Sequence, residues 1–535
     1  MIKREVLFKD DFESKLKKGV DTLANAVKTT MGPKGRLVLI QRDGHPTITK
    51  DGVTVARAIN LTDEVENLAV SVIREAASRT ADEAGDGTTT ATVLAQSIFS
   101  EGLKMKSAGF QTDLIVKGIQ DASKAIITHL NNKRKQVKSD NELKQVALIS
   151  ANGEEEIADL IVAALNASGA DGSIIVEEAK GFKSDLTVVD GFRVERGFLS
   201  PYFVTDKNKM TADYNDCLIL LADRSFSSIR DLMKPLEIAL EMSKPVLIVA
   251  NEIEGEALKG IVLNKTKGVL RICAIKSPGF GNTRHEMLED LKAVVGGEVI
   301  NDAFDMSTFD ETSFGRVKRA IVHKNMTMLI SDSKLGKNEA LEERVLSVKD
   351  RMTDPTLEKA EQELLNYRLQ QLSGGISILR IGAATESELI ERYDRVDDAL
   401  HATKAAMQEG VLPGGGVALV RAVKALNKLS NTKNDQSYEA GIGIVKKAIT
   451  EPFKQIIRNG TASPDTILND VILSKDEIGY DAKKGNLADM YDAGILDPHK
   501  VVRCALENSV SAASMLLSVG CCMIDIEKQS LEQDN

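Results

Sequence analysis

Apolar residues recur three or four positions apart through Leu16, Val20, Leu23, Ala26 and Val27, so residues 14–30 read as an amphipathic helix. The glycines and proline of Met31-Gly32-Pro33-Lys34-Gly35 end it. Two short apolar runs follow, Leu37-Val38-Leu39-Ile40 and Thr47-Ile48-Thr49, flanking Asp43-Gly44 as in a hairpin that delivers Lys50-Asp51-Gly52 at its far end. Helical stripes then run through Val65, Leu68, Val72, Ile73 and Ala76 and through Val93, Leu94, Ile98 and Leu103. From about residue 110 to 180 the pattern is mainly helical, with a turn at Ser150-Ala151-Asn152-Gly153.

The character changes near Asp190-Gly191. From there to about residue 375, runs of strand type (Cys217 to Leu221, Val246 to Ala250, Leu270 to Ile275) alternate with helical segments, which predicts a separate α/β domain with a parallel or mixed sheet. Residues 335–373 are highly charged with helical period, a solvated helix pair broken near Asp354-Pro355. Gly374-Gly375 reads as a hinge, and a helix begins after Thr385. Gly410 to Gly416 forms a loop built for close approach. The rest is largely helical to residues 509–519, and a polar tail from Glu527 to Asn535 is expected to fray.

Between two of the helical stripes lies Gly85-Asp86-Gly87-Thr88-Thr89-Thr90. Its glycines allow a tight turn, and its threonines open a helix whose free N–H groups sit at the positive end of the dipole. Such a corner can cradle phosphate, with Asp86 tolerated beside it through a divalent cation. A capped turn between two helices explains the same residues equally well. Polar loops around residues 30–35, 50–52 and 85–90 each end a regular element, where binding chemistry tends to sit.

Composition narrows the class. The chain has 535 residues, enough for roughly three domains, and at 42% apolar and 28% charged it is globular rather than disordered. Its net charge of −10, the lack of a basic block and an aromatic content of 4% argue against a nucleic-acid binder. No apolar run is long enough to span a bilayer, and five sparse cysteines without CxxC spacing suggest reduced thiols in a cytoplasm. Other motifs fall short. Gly32-Pro33-Lys34-Gly35-Arg36 lacks Walker A spacing, His285-Glu286-Met287-Leu288-Glu289 lacks the second histidine of a zinc-protease helix, and Gly279-Phe280-Gly281-Asn282 lacks the third dinucleotide glycine.

Six stretches together resemble the GroEL-type group I chaperonins, in order and spacing, from about residue 3 to about 525. They are Met31-Gly32-Pro33-Lys34-Gly35, Thr49-Lys50-Asp51-Gly52, Gly85 to Thr90, Asp398-Ala399-Leu400-His401-Ala402-Thr403, Gly414-Gly415-Gly416 and Gly494-Ile495-Leu496-Asp497-Pro498. The resemblance implies a multidomain α+β subunit. A mostly helical equatorial domain (1–133 and 409–535) and a small intermediate domain (134–189 and 376–408) would be discontinuous, with an inserted α/β apical domain (190–375). It further implies an ATPase whose nucleotide site is lined by Thr30, Met31, Gly32, Pro33, Lys50, Asp86, Gly87, Thr88, Thr89, Thr90, Gly415, Asp481, Ala482 and Asp497. By the same resemblance Asp86 holds Mg²⁺, K⁺ sits near Thr30 and Lys50, and Asp51 and Asp398 flank the γ-phosphate and orient the attacking water. Asp398 would be brought in by domain closure. Read without the resemblance, Asp398 is a helix-face carboxylate paired with Arg395 or Lys404.

The resemblance also implies a heptameric ring of copies, single or double, acting in the cytoplasm on unfolded or partly folded client proteins with a GroES-like co-chaperonin. Phe198, Tyr202, Phe203, Met233, Leu236, Leu258, Val262 and Leu263 would face the cavity and bind both, although read blind they are core residues. The sequence departs from the family pattern in four places. Asp481 stands where the family commonly has Asn, which predicts looser base recognition. Ser463 precedes Pro464, so Lys454 lacks the usual inter-ring glutamate. The tail has no Gly-Gly-Met repeats, and Lys234-Pro235 shifts the apical proline. A chaperonin paralogue that no longer cycles and serves as a scaffold, or a small-molecule phosphotransferase, are the alternatives.

Overall fold

A computed structural model of the chain describes residues 4–8, 10–42, 45–137, 139–151, 153–168, 173–179, 181–207, 209–331, 339–352, 359–373, 375–429, 435–460 and 462–525. The expected turn at Asp43-Gly44, the break near Asp354-Pro355, Gly374 and the polar tail lie outside these residues. The chain divides into two compact units. Unit 1 comprises Met1–Val162, Glu178–Lys183 and Ile381–Asn535, and unit 2 comprises Ala163–Glu177 and Ser184–Arg380.

Unit 1 is helical. Its central helix, His499–Ser518, is buried over most of its circumference, with Val502, Leu506, Val510, Ala513 and Leu517 in the core. A helix of that character must be enclosed, and the helices Glu64–Ala84, Thr88–Ser107 and Thr112–Lys133 surround it. In Glu64–Ala84 the buried stripe runs through Val65, Ala69, Val70, Ile73, Ala76 and Ala77, whereas Leu68, expected in the stripe, is exposed. Two of the unit's two-stranded sheets lie at its surface. Arg4–Phe8 pairs antiparallel with Cys521–Asp525, and the expected hairpin forms from Val38–Arg42 and His45–Thr49. Phe8, Leu39, Ile48 and Met523 are exposed apolar side chains on these two-stranded ribbons.

Unit 2 is built on a mixed sheet, nine-stranded among the described residues. The parallel strands Ala212–Phe226, Val246–Ile253 and Ile272–Lys276 correspond to the three apolar runs read from sequence, and their residues Leu218–Ala222, Val246–Ala250 and Ile272–Ile275 are fully buried. Such unbroken apolar runs are what a sheet covered on both faces requires. Gly315–Val322, Thr327–Ile330, Asp185–Val194 and Gly375–Ile381 extend it antiparallel. The mainly helical reading of 110–180 is corrected at its end, where Ser173–Glu178 is a strand of this sheet.

The charged stretch after residue 335 is not simply solvated. Its helices Glu339–Met352 and Lys359–Ser373 bury Val348, Leu365, Leu372 and Arg368. The Arg368 guanidinium donates to both oxygens of buried Asp290, at 2.6 and 2.8 Å, and to Glu286 at 2.8 Å. Arg344 adds a 2.6 Å bond to Asp290. Asp290 and Glu286 sit one turn apart on Asn282–Val295, so one helix clamps the other two.

Candidate functional site

The helix Glu64–Ala84 ends at Gly85 (φ 74°), and Thr88–Ser107 begins after Gly87 (φ 86°). Both glycines occupy the left-handed region, which leaves the chain free to reverse tightly around Asp86. No side chain caps the second helix, so the N–H groups of its first turn, Thr88 to Thr90, have no side-chain acceptor. Gly87 N–H donates to Asp86 Oδ1 at 2.5 Å.

Three other segments meet this corner. The hairpin hands on to Asp51, whose carboxylate caps the helix Gly52–Ala58 by accepting from Val53 N–H (3.0 Å) and Thr54 N–H (2.8 Å). A Cβ on Gly52 would lie 2.4 Å from Thr89 Oγ1 and 2.9 Å from Thr88 Oγ1, so glycine lets the two loops touch. The strand Leu496–Pro498 pairs with Val411–Pro413, setting Leu412 opposite Asp497. Asp497 lies against the glycine loop, its Oδ1 3.0 Å from where a Cβ on Gly414 would stand, while beside Gly415, at φ +64°, there is open space. The helix Glu386–Glu409 carries Asp398. It packs so closely on the corner that a Cβ on Gly85 would meet His401 Cβ at 2.0 Å.

The electrostatics of this cleft are those of crowded carboxylates. Burial raises the Asp398 carboxyl well above its ordinary range, with Asp86 and Asp51 adding repulsion. Burial and then Asp51 raise Asp86, although the Gly87 N–H opposes them. Asp497 is pushed up to about 6 by burial and Asp86. Arg395 does not neutralise Asp398; it pairs with Glu154 and Glu391. Lys50, expected in the site, has its ammonium pKa lowered by burial and then by Arg395. Sequence reasoning missed Asp394, whose carboxyl is pushed up to about 6 by burial and Asp51. Its four-residue spacing from Asp398 was the available signal.

The remaining expected site residues fall in two places. Thr30 closes a short 3₁₀ turn, Lys28–Thr30, and donates to Val27 O; Gly32 (φ 79°) packs on Ile456. The helix bearing Ile456, Glu451–Asn459, also touches Gly416 through Phe453, which links the 30–33 loop to the glycine loop. Asp481 and Ala482 lie at the strand pair Ile478–Asp481 and Asn486–Asp489. Asp481 Oδ1 accepts from Lys483 and Lys484 N–H, so this side chain first of all holds its own turn. Among the described residues no three His, Cys, Asp or Glu side chains form a ready metal cage. A cation at Asp86 would therefore need ligand or water oxygens to complete its shell, the habit of Mg²⁺. The uncapped helix start, the space at Gly415 and the unneutralised carboxylates suit a metal–phosphate group.

At the far end of the Asp398 helix, Glu409 accepts from the buried His499 ring at 2.7 Å and from Arg503 at 2.7 Å. His499 thus ties that helix to the strand delivering Asp497. Burial lowers the imidazole pKa, and Arg134 and Arg503 lower it further against the pull of Glu409. Folding therefore favours the neutral ring. Its contribution is present above the ordinary histidine value of ~6.5 and is lost as pH falls through the lower folded value. His499→Asn can still donate to Glu409 and does not titrate. Urea midpoints at about pH 7.5 and about pH 5.5 should fall further for wild type than for this variant. Equal falls would contradict that assignment.

In unit 2 the expected apolar surface divides. Tyr202, Met233 and Leu263 are 70%, 49% and 53% exposed, while Phe198, Leu258 and Val262 are partly buried against the core. Phe203 and Leu236 are corrected to core residues, at 0% and 8% exposure. In the 3₁₀ turn Pro201–Phe203 neighbouring side chains diverge, so Tyr202 faces out as Phe203 turns inward.

Comparison with known proteins agrees with this architecture. The family model described as the TCP-1/cpn60 chaperonin family matches residues 23–527. Among solved structures, the chain is similar to the chaperonin gp146 from the bacteriophage EL 2 (Pseudomonas aeruginosa), crystallised in the presence of ATP-BeFx. Crystal form II aligns with a TM-score of 0.73 at 23% identity, covering 98% of this chain and 99% of that one. Form I aligns at 0.65 with the same identity and coverage. At this identity the likeness speaks for the fold. Among the described residues no helix is long and apolar enough to cross a membrane.

Proposed function

Because the chain belongs to the TCP-1/cpn60 chaperonin family, we propose that it is an ATP-driven chaperone that holds non-native proteins on unit 2 and promotes their folding within a ring of copies. The carrying observation is the convergence of Asp51, Asp86, Asp398 and Asp497, from four separate stretches, on a glycine-bracketed helix start. Their mutual repulsion is relieved by a divalent cation with phosphates. Mg²⁺ held by Asp86 supplies charge neutralisation for phosphoryl transfer. Thr88 to Thr90 donate to phosphate oxygens, and Gly415 leaves them room. Both Asp51 oxygens already accept N–H groups, so Asp51 orients the attacking water. Asp398, to which no donor is found among the described residues and whose proton affinity is raised, takes its proton. K⁺ near Thr30 and Lys50 belongs to the same proposal, as do the three-part domain division and a GroES-like partner. The gp146 crystals grown with ATP-BeFx support a nucleotide site in this fold.

Gly85 tests whether the Asp398 helix must dock. In Gly85→Ala the methyl would strike His401, and the left-handed φ itself costs about 1–2 kcal/mol. Phosphate release should fall about tenfold or more through misplacement of Asp398. Unchanged turnover would contradict the docking role.

Client capture rests on Tyr202, Met233 and Leu263, each able to contribute ~2 kcal/mol on burial, repeated around a ring. Tyr202→Glu combined with Leu263→Glu should abolish capture of a chemically unfolded protein while leaving ATP turnover intact. Undiminished capture would exclude this surface. Assembly is supported by the two short ribbons of unit 1, whose unpaired edges and exposed Leu39, Ile48 and Phe8 suit pairing with another copy. Lys454 is neutralised within its own chain by Asp465 at 2.8 Å, which favours a single ring.

A further inference from the structure

Beside the nucleotide loop, unit 1 contains an open cavity of about 230 Å³. Its floor is buried Val93 and Gln455; Ser97 and Ser100 of the Thr88–Ser107 helix line it, and Lys447 and Arg458 stand exposed at the rim. The charges around it do not balance. Lys447 pairs with Glu101 at 2.9 Å and Arg458 with Glu451 at 2.9 Å, so both carboxylates are engaged. Lys28 also lines the cavity, half-buried, and no ion pair to its ammonium occurs among the described residues. Burial lowers its pKa, and the nearby Arg458 lowers it further against the pull of Asp21 and Glu451.

We infer that this cavity is a binding site for a compact oxyanion of the phosphate or carboxylate class, held by Lys28 with Arg458 and the Ser97 and Ser100 hydroxyls. A cation that has lost solvent without gaining a partner is stabilised by an anion, and the hydroxyls supply donors on the same wall. The volume equals about eight waters at ~30 Å³ each, room for such an ion with part of its hydration shell. The site also has a mechanical link to the loop next to it. Gln455, in the cavity floor, donates to Asn459 Oδ1 at 2.9 Å. Asn459 in turn donates to Lys28 O and Met31 O, both at 2.9 Å, bracketing the turn that leads into Gly32-Pro33. An ion pulling on Lys28 and Gln455 therefore acts on both ends of that turn. This coupling rests on the nucleotide reading; the binding does not.

The test is equilibrium dialysis of the full-length protein with labelled inorganic phosphate, with a saturating non-hydrolysable ATP analogue filling the γ-phosphate position and so keeping phosphate out of the nucleotide site. A parallel series uses succinate, to distinguish the two anion sources. Wild type should retain one phosphate or one succinate per chain. Lys28→Met, which keeps the alkyl stem, should weaken that binding about tenfold or more, the worth of a charge-assisted hydrogen bond. Its ADP affinity, measured without either anion, should stay unchanged, which also verifies that the variant is folded. Retention of neither anion, or equal retention by wild type and Lys28→Met, would overturn the site. Protection of Lys28 from acylation in the assembled particle without either anion would overturn it too, because another copy would then fill the cavity. If the site stands, the bound anion should shift the ATP concentration for half-maximal turnover in wild type and not in Lys28→Met.

Discussion

Asp398→Ala should lower ATP turnover by ~10²-fold or more, the usual worth of a positioned general base, while nucleotide affinity changes by no more than a factor of a few. Asp398 reaches the cleft from the helix Glu386–Glu409, and its carboxyl is raised by burial and by Asp86 and Asp51. Removing it takes one negative charge from a crowded set, so binding of an anionic nucleotide has no reason to weaken and could tighten. On the proposed mechanism, what is lost is the group that takes the proton of the attacking water. Single-turnover phosphate release with nucleotide binding measured in parallel separates the two. A parallel loss of affinity would mean that Asp398 serves the ground state, and full turnover would remove it from the chemistry.

Asp290→Ala should destabilise unit 2 by about 3 kcal/mol, because it removes the more buried of the two carboxylates that pair Arg368 and Arg344 and leaves only the partly exposed Glu286 to compensate both. The loss should appear first as faster hydrogen exchange in the helices Glu339–Met352 and Lys359–Ser373, which Asp290 and Glu286 clamp. Replacing Asp290, Arg344 and Arg368 together by apolar residues of similar volume should recover much of the stability, since the desolvation cost disappears along with the attraction. If Asp290→Ala leaves exchange in these helices unchanged, the clamp contributes packing rather than charge pairing.

These two sites differ in how far sequence exposes them. The corner around Asp86 is legible because its determinants are consecutive: two glycines that permit positive φ and threonines that open a helix. The three buried strands of unit 2 are legible for a similar reason, since short unbroken apolar runs bounded by polar residues fit the strands of an enclosed sheet. Asp398 is not legible from local pattern, lying more than three hundred residues from Asp86, and only the resemblance points to it. Pairing of Arg4–Phe8 with Cys521–Asp525 is hidden for the same reason. Charge pattern misleads at 335–373, because an arginine that is solvated in one helix and enclosed by carboxylates in another has the same identity in sequence. Phe203 and Leu236 expose the converse problem. An apolar residue type states that burial is favourable, not whether the partner is the chain's own core or a client.

Native mass spectrometry combined with ATP-dependent refolding of a chemically unfolded protein bears most directly on the central claim. A ring of seven copies, or two such rings, that raises the folded yield with ATP but not with a non-hydrolysable analogue is the predicted result. An assembled particle that captures unfolded protein without ATP-driven release would be a scaffold rather than a folding machine. A stable monomer whose ATP turnover is indifferent to Asp398→Ala and to unfolded protein would contradict the account outright.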